Sequence, residues 1–361
     1  MTPFRWTLAI VSFAAAIGVS IYIMDSSWPA EEAKVSPSAL TQLLLLTIAL
    51  LELGARAAKV RLSAAALRIP ITFGTALRAS AGGDFGAAIT PARTGAEPAR
   101  FLIMSEAGMP AAHILLVIFA ELFLEMLTLA AVAAAMFLVF RSSGTMILGM
   151  VALVAAYAAF VLGCGAVGVM LSRRHSSGPP PAWFTRVGLN AGHWRRLQRS
   201  LRQLREGIEG VRDVRWGAAV GAFLASVAHV ALRLAILPVI VYSFGRTAPL
   251  APMILWPIAL TYGGVVAPVP AGGGAIEVAF KAALGGSIPP DIFGAALIWW
   301  RFYTFYLFVL LGAFVAGGTV LRALRDDDAN AEDAAITGAA SASGAAVAVS
   351  AGNRGGSGRS A

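Results

Sequence analysis

Residues 267–281 read APVPAGGGAIEVAFK, with two prolines, three consecutive glycines and a lone carboxylate set between long apolar segments. Proline removes a backbone donor and glycine weakens a helix, so a helix arriving at Ala267 stops there. A second helix can start after Gly274 and carry Glu277 and Lys281 one turn apart on one face. In water such a stretch is an ordinary loop; within a bilayer it is a broken helix. The composition of the rest of the chain decides which.

The 361-residue chain is 58% hydrophobic and 13% charged, against about 25% charged for an average soluble domain. Its mean hydropathy is +0.75. Several apolar runs approach or exceed the ~20 residues that cross a bilayer. The chain therefore reads as an all-α polytopic membrane protein. Its formal charge is +9, and only three of its 28 basic residues (Lys34, Lys59 and Lys281) are lysine. The arginines flank apolar spans, so the positive-inside rule and contact with anionic headgroups account for them, and no nucleic-acid partner is expected. The bias to Ala, Gly and Arg fits a GC-rich bacterial genome. The single cysteine, Cys164, lies in an apolar run and excludes an intrachain disulfide framework or a multi-cysteine metal site.

Working outward along the chain, span 1 covers residues 6–24. Its apolar stretch exceeds the about 7–15 residues of a signal-peptide core and lacks a small-x-small cleavage site, so it reads as a retained helix. The net acidic loop after it (Asp25, Glu31, Glu32, Lys34) faces outside. Span 2, residues 40–58, ends in a basic run of Arg56, Lys59, Arg61 and Arg68, which places that end in the cytoplasm. Residues 69–110 are too polar for a simple span, holding Arg78, Asp84, Arg93, Glu97, Arg100 and Glu106. Spans 3 and 4 cover 111–140 and 146–171. The linker 172–215 carries ten arginines against three acids, which makes it cytoplasmic. Its second half has the apolar spacing of an amphipathic helix on the membrane surface. Span 5 covers 218–242 and span 6 covers 292–321. The transmembrane domain thus occupies 1–325, and the Ala/Gly/Ser-rich tail 326–361 is too poor in large apolar residues to form a core.

Parity then fixes the two irregular stretches. With the linker inside, span 4 ends inside and span 3 starts inside; span 2 also ends inside. Residues 69–110 therefore enter and leave by the cytoplasmic face. Span 5 ends outside and span 6 ends inside, so residues 252–290 enter and leave by the outer face, with APVPAGGG at their turning point. About six full transmembrane helices plus two re-entrant broken-helix segments result, with both termini cytoplasmic in a bacterial inner membrane. Broken segments entering from opposite faces build a site near the midplane in inverted-repeat transporters. Irregular backbone is tolerated at that depth only against protein or a wet cavity.

Two motifs carry a family likeness. One is Pro91-Ala-Arg93-Thr-Gly95-Ala-Glu97-Pro-Ala-Arg100; the other is Pro268-Val-Pro270-Ala-Gly272-Gly273-Gly274-Ala-Ile-Glu277, followed by Arg301 in the last long helix. Over residues 5–322 the chain resembles the lysylphosphatidylglycerol synthase transmembrane region, a flippase-like family. It departs from the family pattern at Glu97, one residue later than is common, at Ala271 in place of a glycine, and at Glu121-Leu122 where a Glu-Arg pair is usual. Only a polar tail follows span 6, without the soluble aminoacyl transferase domain of the bifunctional members. The resemblance implies the lipid-moving half without the synthetic half.

Candidate residues carry alternatives. Glu277, an intramembrane carboxylate after a glycine break, costs about 2.5–3.5 kcal/mol to insert and so is partnered or functional. Its structural alternative is an ion pair with Lys281 or Arg301. The amides of Gly272, Gly273 and Gly274 at a half-helix start can bind a phosphate group, or simply form a turn for close packing. Arg93, Glu97 and Arg100 lie on the first re-entrant segment, where a guanidinium can fork onto a phosphodiester, or they anchor a cytoplasmic loop; Arg301 is counted with them and Glu277 as substrate-binding. Asp84, Glu121, Glu125, Arg233 and Lys281 are supporting intramembrane charges; buried mutual pairing of Glu121, Glu125 and Arg233 would place them at the bundle interior. No metal, cofactor, hydrolytic triad or nucleotide-binding loop is expected, and hence no enzyme. The expected function is binding of an anionic phospholipid or a polyprenyl-phosphate-linked lipid and its movement between leaflets. The alternative is a non-transporting partner or scaffold for a separately encoded synthase or glycosyltransferase.

Overall fold

A computed structural model describes residues 36–90, 93–139, 144–173, 214–263 and 275–316, together with Tyr22, Gln198 and Gly318. Among them the helices are α1 (Ala39–Ala66), α2 (Phe73–Ala88), α3 (Ala96–Glu106), α4 (Ala111–Val139), α5 (Gly144–Arg173), α6 (Trp216–Ser243), α7 (Leu250–Gly263), α8 (Ala275–Leu284) and α9 (Pro290–Arg301). After Arg301 the chain passes through a π-helical turn, Phe302–Tyr306, and continues as an apolar helix to Ala316. Span 1, most of the linker 172–215, the tail 326–361 and the motif residues 264–274 lie outside the described residues.

Three helical stretches, Ala111–Val139, Trp216–Ser243 and Pro290–Ala316, are long and apolar enough to cross a membrane. At 28 and 30 residues, α1 and α5 also exceed the ~20 that a crossing needs. These five correspond to spans 2–6. Helix α1 starts where Ser38 Oγ accepts the Thr41 amide at 3.2 Å, a side-chain N-cap. It runs eight residues past the boundary expected at 58, because only at Arg68 does the backbone turn left-handed (φ 59°). There the Arg68 and Ile69 amides donate to Ala65 and Ala64 carbonyls at 3.1 and 2.8 Å, a Schellman stop with buried Ile69 as its apolar anchor.

The two irregular stretches are helical hairpins too short to cross. Helices α2 and α3 have 16 and 11 residues, about 24 and 17 Å at the usual rise. They run antiparallel. Arg78 Nη2 donates to Glu106 Oε2 at 3.0 Å at their open end. At the closed end a Cβ on Gly95 would lie 2.6 Å from the Gly86 carbonyl oxygen, an approach only glycine permits. Thr90 closes the tip: its hydroxyl donates to the Gly86 carbonyl at 2.8 Å and accepts the Gly95 amide at 2.7 Å. Helices α7 and α8, with 14 and 10 residues, form the arms of the second hairpin.

Contacts at the two ends of the bundle give the hairpins opposite orientations. The Arg215 amide donates to the Ala66 carbonyl at 3.1 Å, bringing the end of α1 and the start of α6 to one face. Ile114 packs with Ala64 and Ile69, so α4 starts at that face too, and the first hairpin opens there. At the other face Arg246 Nε donates to Asp291 Oδ2 at 2.7 Å, joining the end of α6 to the start of α9. The second hairpin opens at that face. Each hairpin packs on its own apolar cluster, one built around Ile103, Met104 and Val117, the other around Ile240, Phe280 and Trp300. The helix after the π turn crosses between them: a Cβ on Gly312 would overlap the Ala81 carbonyl and lie 2.9 Å from Phe85 Cβ.

Candidate functional site

The helices around the bundle interior carry their charges at helical spacing. Glu52, Arg56 and Lys59 share one face of α1; Glu121 and Glu125 are one turn apart on α4, and His229 and Arg233 on α6. Glu52 has no exposed surface, Glu121, Lys59, His229, Glu277 and Arg301 are buried, and Arg56 and Arg233 are half-buried. Charges at such depth persist only when paired or used.

One chain of pairs runs from the first hairpin through α1 to α6. Asp84 Oδ2 lies 2.8 Å from Arg56 Nη1, and Glu52 Oε1 lies 3.2 Å from both Arg56 Nε and Arg233 Nε. The rings behind them complete the setting, for Phe308 faces both guanidinium groups, at 4.7 Å (Arg56) and 5.7 Å (Arg233) from its centroid. Nearby, Lys59 and the Tyr262 hydroxyl both donate to Glu125. A third set ties the first hairpin to α4: Arg100 pairs with Glu97 at 3.2 Å and with Glu121. In the second hairpin Arg301 Nε donates to Glu277 Oε1 at 2.8 Å. The Arg301 guanidinium also stacks 4.6 Å from the Phe305 centroid and 5.6 Å from that of Tyr306.

The tip end of α2 and the start of α8 both meet the helix at the π turn. Ala88, at the end of α2, packs against Phe305 with Tyr306 and Val309 beside it, while Glu277 of α8 holds Arg301, the residue that precedes the turn. A π turn inserts one residue and changes which side chains beyond it face the bundle. Here it lets Phe305 and Phe308 each take an arginine.

Arg93 occupies the tip of the first hairpin. Its φ is 58°, a left-handed conformation that costs a bulky residue about 1–3 kcal/mol. Half-buried, it makes no ion pair among the described residues, yet its charge interacts with Asp84 and with the guanidinium groups of Arg233, Arg56 and Arg301. Arg93 is thus within electrostatic reach of Arg56, Arg233 and Arg301, which pair with Asp84, Glu52 and Glu277. Arg56 Nη2 and Arg233 Nε are buried without a hydrogen-bond partner. Guanidinium N–H groups that make no hydrogen bond, held beside an arginine with no ion pair among the described residues, are what an anion needs.

The residues singled out in the sequence fall into distinct places. Arg93 lies at the tip of the first hairpin, within electrostatic reach of Asp84, and Arg301 lies just before the π turn, paired with Glu277. Arg100 and Glu97 belong to the pair network with Glu121, and Lys281 is exposed near the end of α8. Gly272, Gly273 and Gly274 lie outside the described residues. Arg233 pairs with Glu52 rather than with Glu121 or Glu125, whose partners are Arg100 and Lys59. Arg56 and Lys59, read from the sequence as part of a basic cytoplasmic end, instead turn inward to Asp84, Glu52 and Glu125. The α1 helix simply continues past them, leaving Arg61 and Arg68 exposed at its end. Glu52, Arg56, Lys59, His229 and Tyr262 were not among the expected site residues. The signal for the first three was present as an acid followed at i+4 and i+7 by bases on a single helical face. Among the described residues no group of three His, Cys, Asp or Glu side chains could hold a metal ion.

A family model described as lysylphosphatidylglycerol synthase TM region matches residues 6–312. Among curated proteins none matches the chain.

Proposed function

The chain belongs to the lysylphosphatidylglycerol synthase TM region family, and from that membership we propose that this multi-pass membrane protein holds the phosphate of an anionic lipid between its hairpin tips and passes it between leaflets. The lipid is an anionic phospholipid or a polyprenyl-phosphate-linked lipid. The observation that carries the reading is Arg93: a left-handed arginine with no ion pair among the described residues, within electrostatic reach of Arg56, Arg233 and Arg301, at the tip of the first of two hairpins that open to opposite faces. Such a site is reached from either side by moving one hairpin against the other, as alternating access requires. Competition for the arginines would draw them from Glu52 and Asp84 to the phosphate.

The proposal assigns no covalent step to this chain. It places the face bearing Arg61, Arg68 and Arg215 in the cytoplasm of a bacterial inner membrane, with both termini there, on the positive-inside rule.

The test is reconstitution into liposomes carrying a trace of headgroup-labelled phosphatidylglycerol or of a labelled polyprenyl monophosphate. Headgroup exchange is followed by quenching from outside. Wild-type protein accelerates exchange of one of them, and Arg93→Gln slows it about 10- to 100-fold, the loss of one charge-assisted contact worth about 1.5–3 kcal/mol. Exchange no faster than in empty liposomes for both lipids overturns the proposal. If lipid still binds, the protein is then a lipid-presenting partner for a separately encoded synthase or glycosyltransferase.

A further inference from the structure

His229 is a buried imidazole set between two acids. Its Nδ1 lies 3.6 Å from Glu52 Oε1 and its Nε2 lies 3.4 Å from Glu125 Oε2. Only the Nε2 contact is a hydrogen bond; Nδ1 has no hydrogen-bond partner. A neutral imidazole has a single N–H and so sets a lone pair towards one of the two carboxylates, whereas the imidazolium presents an N–H to each. His229 is 4% exposed and Glu52 0%, so water does little to relieve that mismatch.

The groups that face this ring come from every helix around it. Helix α1 supplies Glu52, Arg56 and Lys59; α4 supplies Glu125; α6 itself supplies Arg233; α2 supplies Asp84 through Arg56. Helix α7 supplies the Tyr262 hydroxyl on Glu125, and Tyr157 of α5 stands edge-on to that ring at 6.4 Å. The three carboxylates Glu52, Asp84 and Glu125 stand against the three cations Arg56, Lys59 and Arg233, with Arg93 a fourth cation that an incoming anion would neutralise. Arriving beside Arg93, the anion draws Arg56 and Arg233 from Glu52, and His229 is the other group facing Glu52. A proton on the imidazole replaces the positive charge withdrawn from that carboxylate.

We propose that His229 is a proton-binding site coupled to the anion site: an anion held by Arg56, Arg93 and Arg233 binds together with one proton, taken from water onto the imidazole and shared between Glu52 and Glu125. The inference rests on the anion-site reading given above. Histidine is the side chain whose charge changes in the physiological pH range. Linkage is reciprocal, so uptake of one proton on binding makes affinity fall with rising pH, by up to tenfold per pH unit.

The test uses full-length protein in phosphatidylcholine nanodiscs, titrated with dihexanoyl phosphatidylglycerol, a phosphodiester that does not itself titrate near neutrality. Calorimetry in two buffers of different ionisation enthalpy counts the protons. The wild type takes up close to one proton per lipid at pH 7.5, and its Kd rises severalfold to tenfold between pH 7 and 8. His229→Gln takes up close to none and loses the pH dependence. Glu52→Gln, which removes the carboxylate charge facing Nδ1, serves as a second variant should His229→Gln fail to elute as a folded species, and it lowers the count by half or more. Binding without proton uptake by the wild type, or with the same uptake in both variants, overturns the coupling alone. Absence of binding by the wild type at every pH overturns the anion-site reading, and the coupling with it.

Discussion

Glu52 is the acid on which the interior network turns, and Glu52→Gln tests it without changing shape. Its Oε1 stands 3.2 Å from both Arg56 Nε and Arg233 Nε, and none of these atoms is aligned for a hydrogen bond. The attraction is therefore one of charge, and a glutamine amide inherits little of it. Arg56 keeps Asp84 at 2.8 Å, whereas Arg233 loses the carboxylate with which it pairs. Stripping one partner from a buried ion pair costs about 3–5 kcal/mol. Arg233 retains 16% side-chain exposure and its contact with Phe308, and a cation over a ring returns about 0.5–2 kcal/mol. The expected loss is therefore at the lower end, about 2–3 kcal/mol.

Unfolding in mixed detergent and sodium dodecyl sulfate micelles, followed by tryptophan fluorescence, reads this as a lower midpoint. Arg233→Met in the same background discriminates the cause. With both charges gone, the pair becomes a thioether beside a neutral amide, and no buried charge is left without its partner. The double variant is expected within about 1 kcal/mol of wild type, so that the two substitutions are strongly non-additive. A Glu52→Gln protein as stable as wild type, or a double variant that shows the sum of two losses, would refute the pairing.

Other consequences are simpler to state. Gly312→Ala forces a methyl onto the Ala81 carbonyl and should destabilise by about 1–3 kcal/mol, whereas Gly54→Ala meets nothing within 4 Å and should leave the thermal midpoint unchanged or higher. In a Cys164→Ala background, an impermeant maleimide should label cysteines at positions 61 and 215 from one side of the membrane and at position 246 from the other; labelling of all three from one side contradicts the hairpin orientations. Glu277→Gln should leave a folded protein that moves labelled lipid at least about tenfold more slowly, since the partner of Arg301 at the tips loses its charge. Unchanged exchange would reduce Glu277 to a packing residue.

The long helices were legible because an apolar run of more than about 20 residues has few other uses, and their order followed from counting arginines. The hairpins were legible by parity: residues 69–110 and 252–290 had to return to the face they entered from, and Arg215 on Ala66 and Arg246 on Asp291 show those faces. Arginine counting failed at Arg56 and Lys59. The positive-inside rule treats a base near the end of a span as interfacial, and it cannot tell a helix that stops at Ala58 from one that continues to Ala66 with those bases turned inward. Which acid each base would take was legible only in part: Arg301 was one of the two partners expected for Glu277, and it is the one that holds it. Arg233 and Glu52 are far apart in sequence and meet only because α1 and α6 pack along their lengths. The π turn at FYTFY carries no sequence signal beyond its aromatics.

The same arrangement sets a limit on how tightly this interior can be held. Arg56 and Arg233 stabilise the bundle through Asp84 and Glu52, and an anion at the tips must take donors from those acids. Stronger internal pairs make a firmer bundle and a poorer site. Pairs without hydrogen-bond alignment, as at Glu52, can be given up at less cost than aligned ones. Arg93 escapes the conflict, since its strained backbone holds a guanidinium among charges without committing it to a carboxylate. An anion can meet Arg93 first and recruit Arg56 and Arg233 afterwards. By this argument Arg93→Lys should weaken binding more than a like-charge exchange ordinarily does, because an ammonium lacks the planar fork that bridges a phosphate to its neighbours.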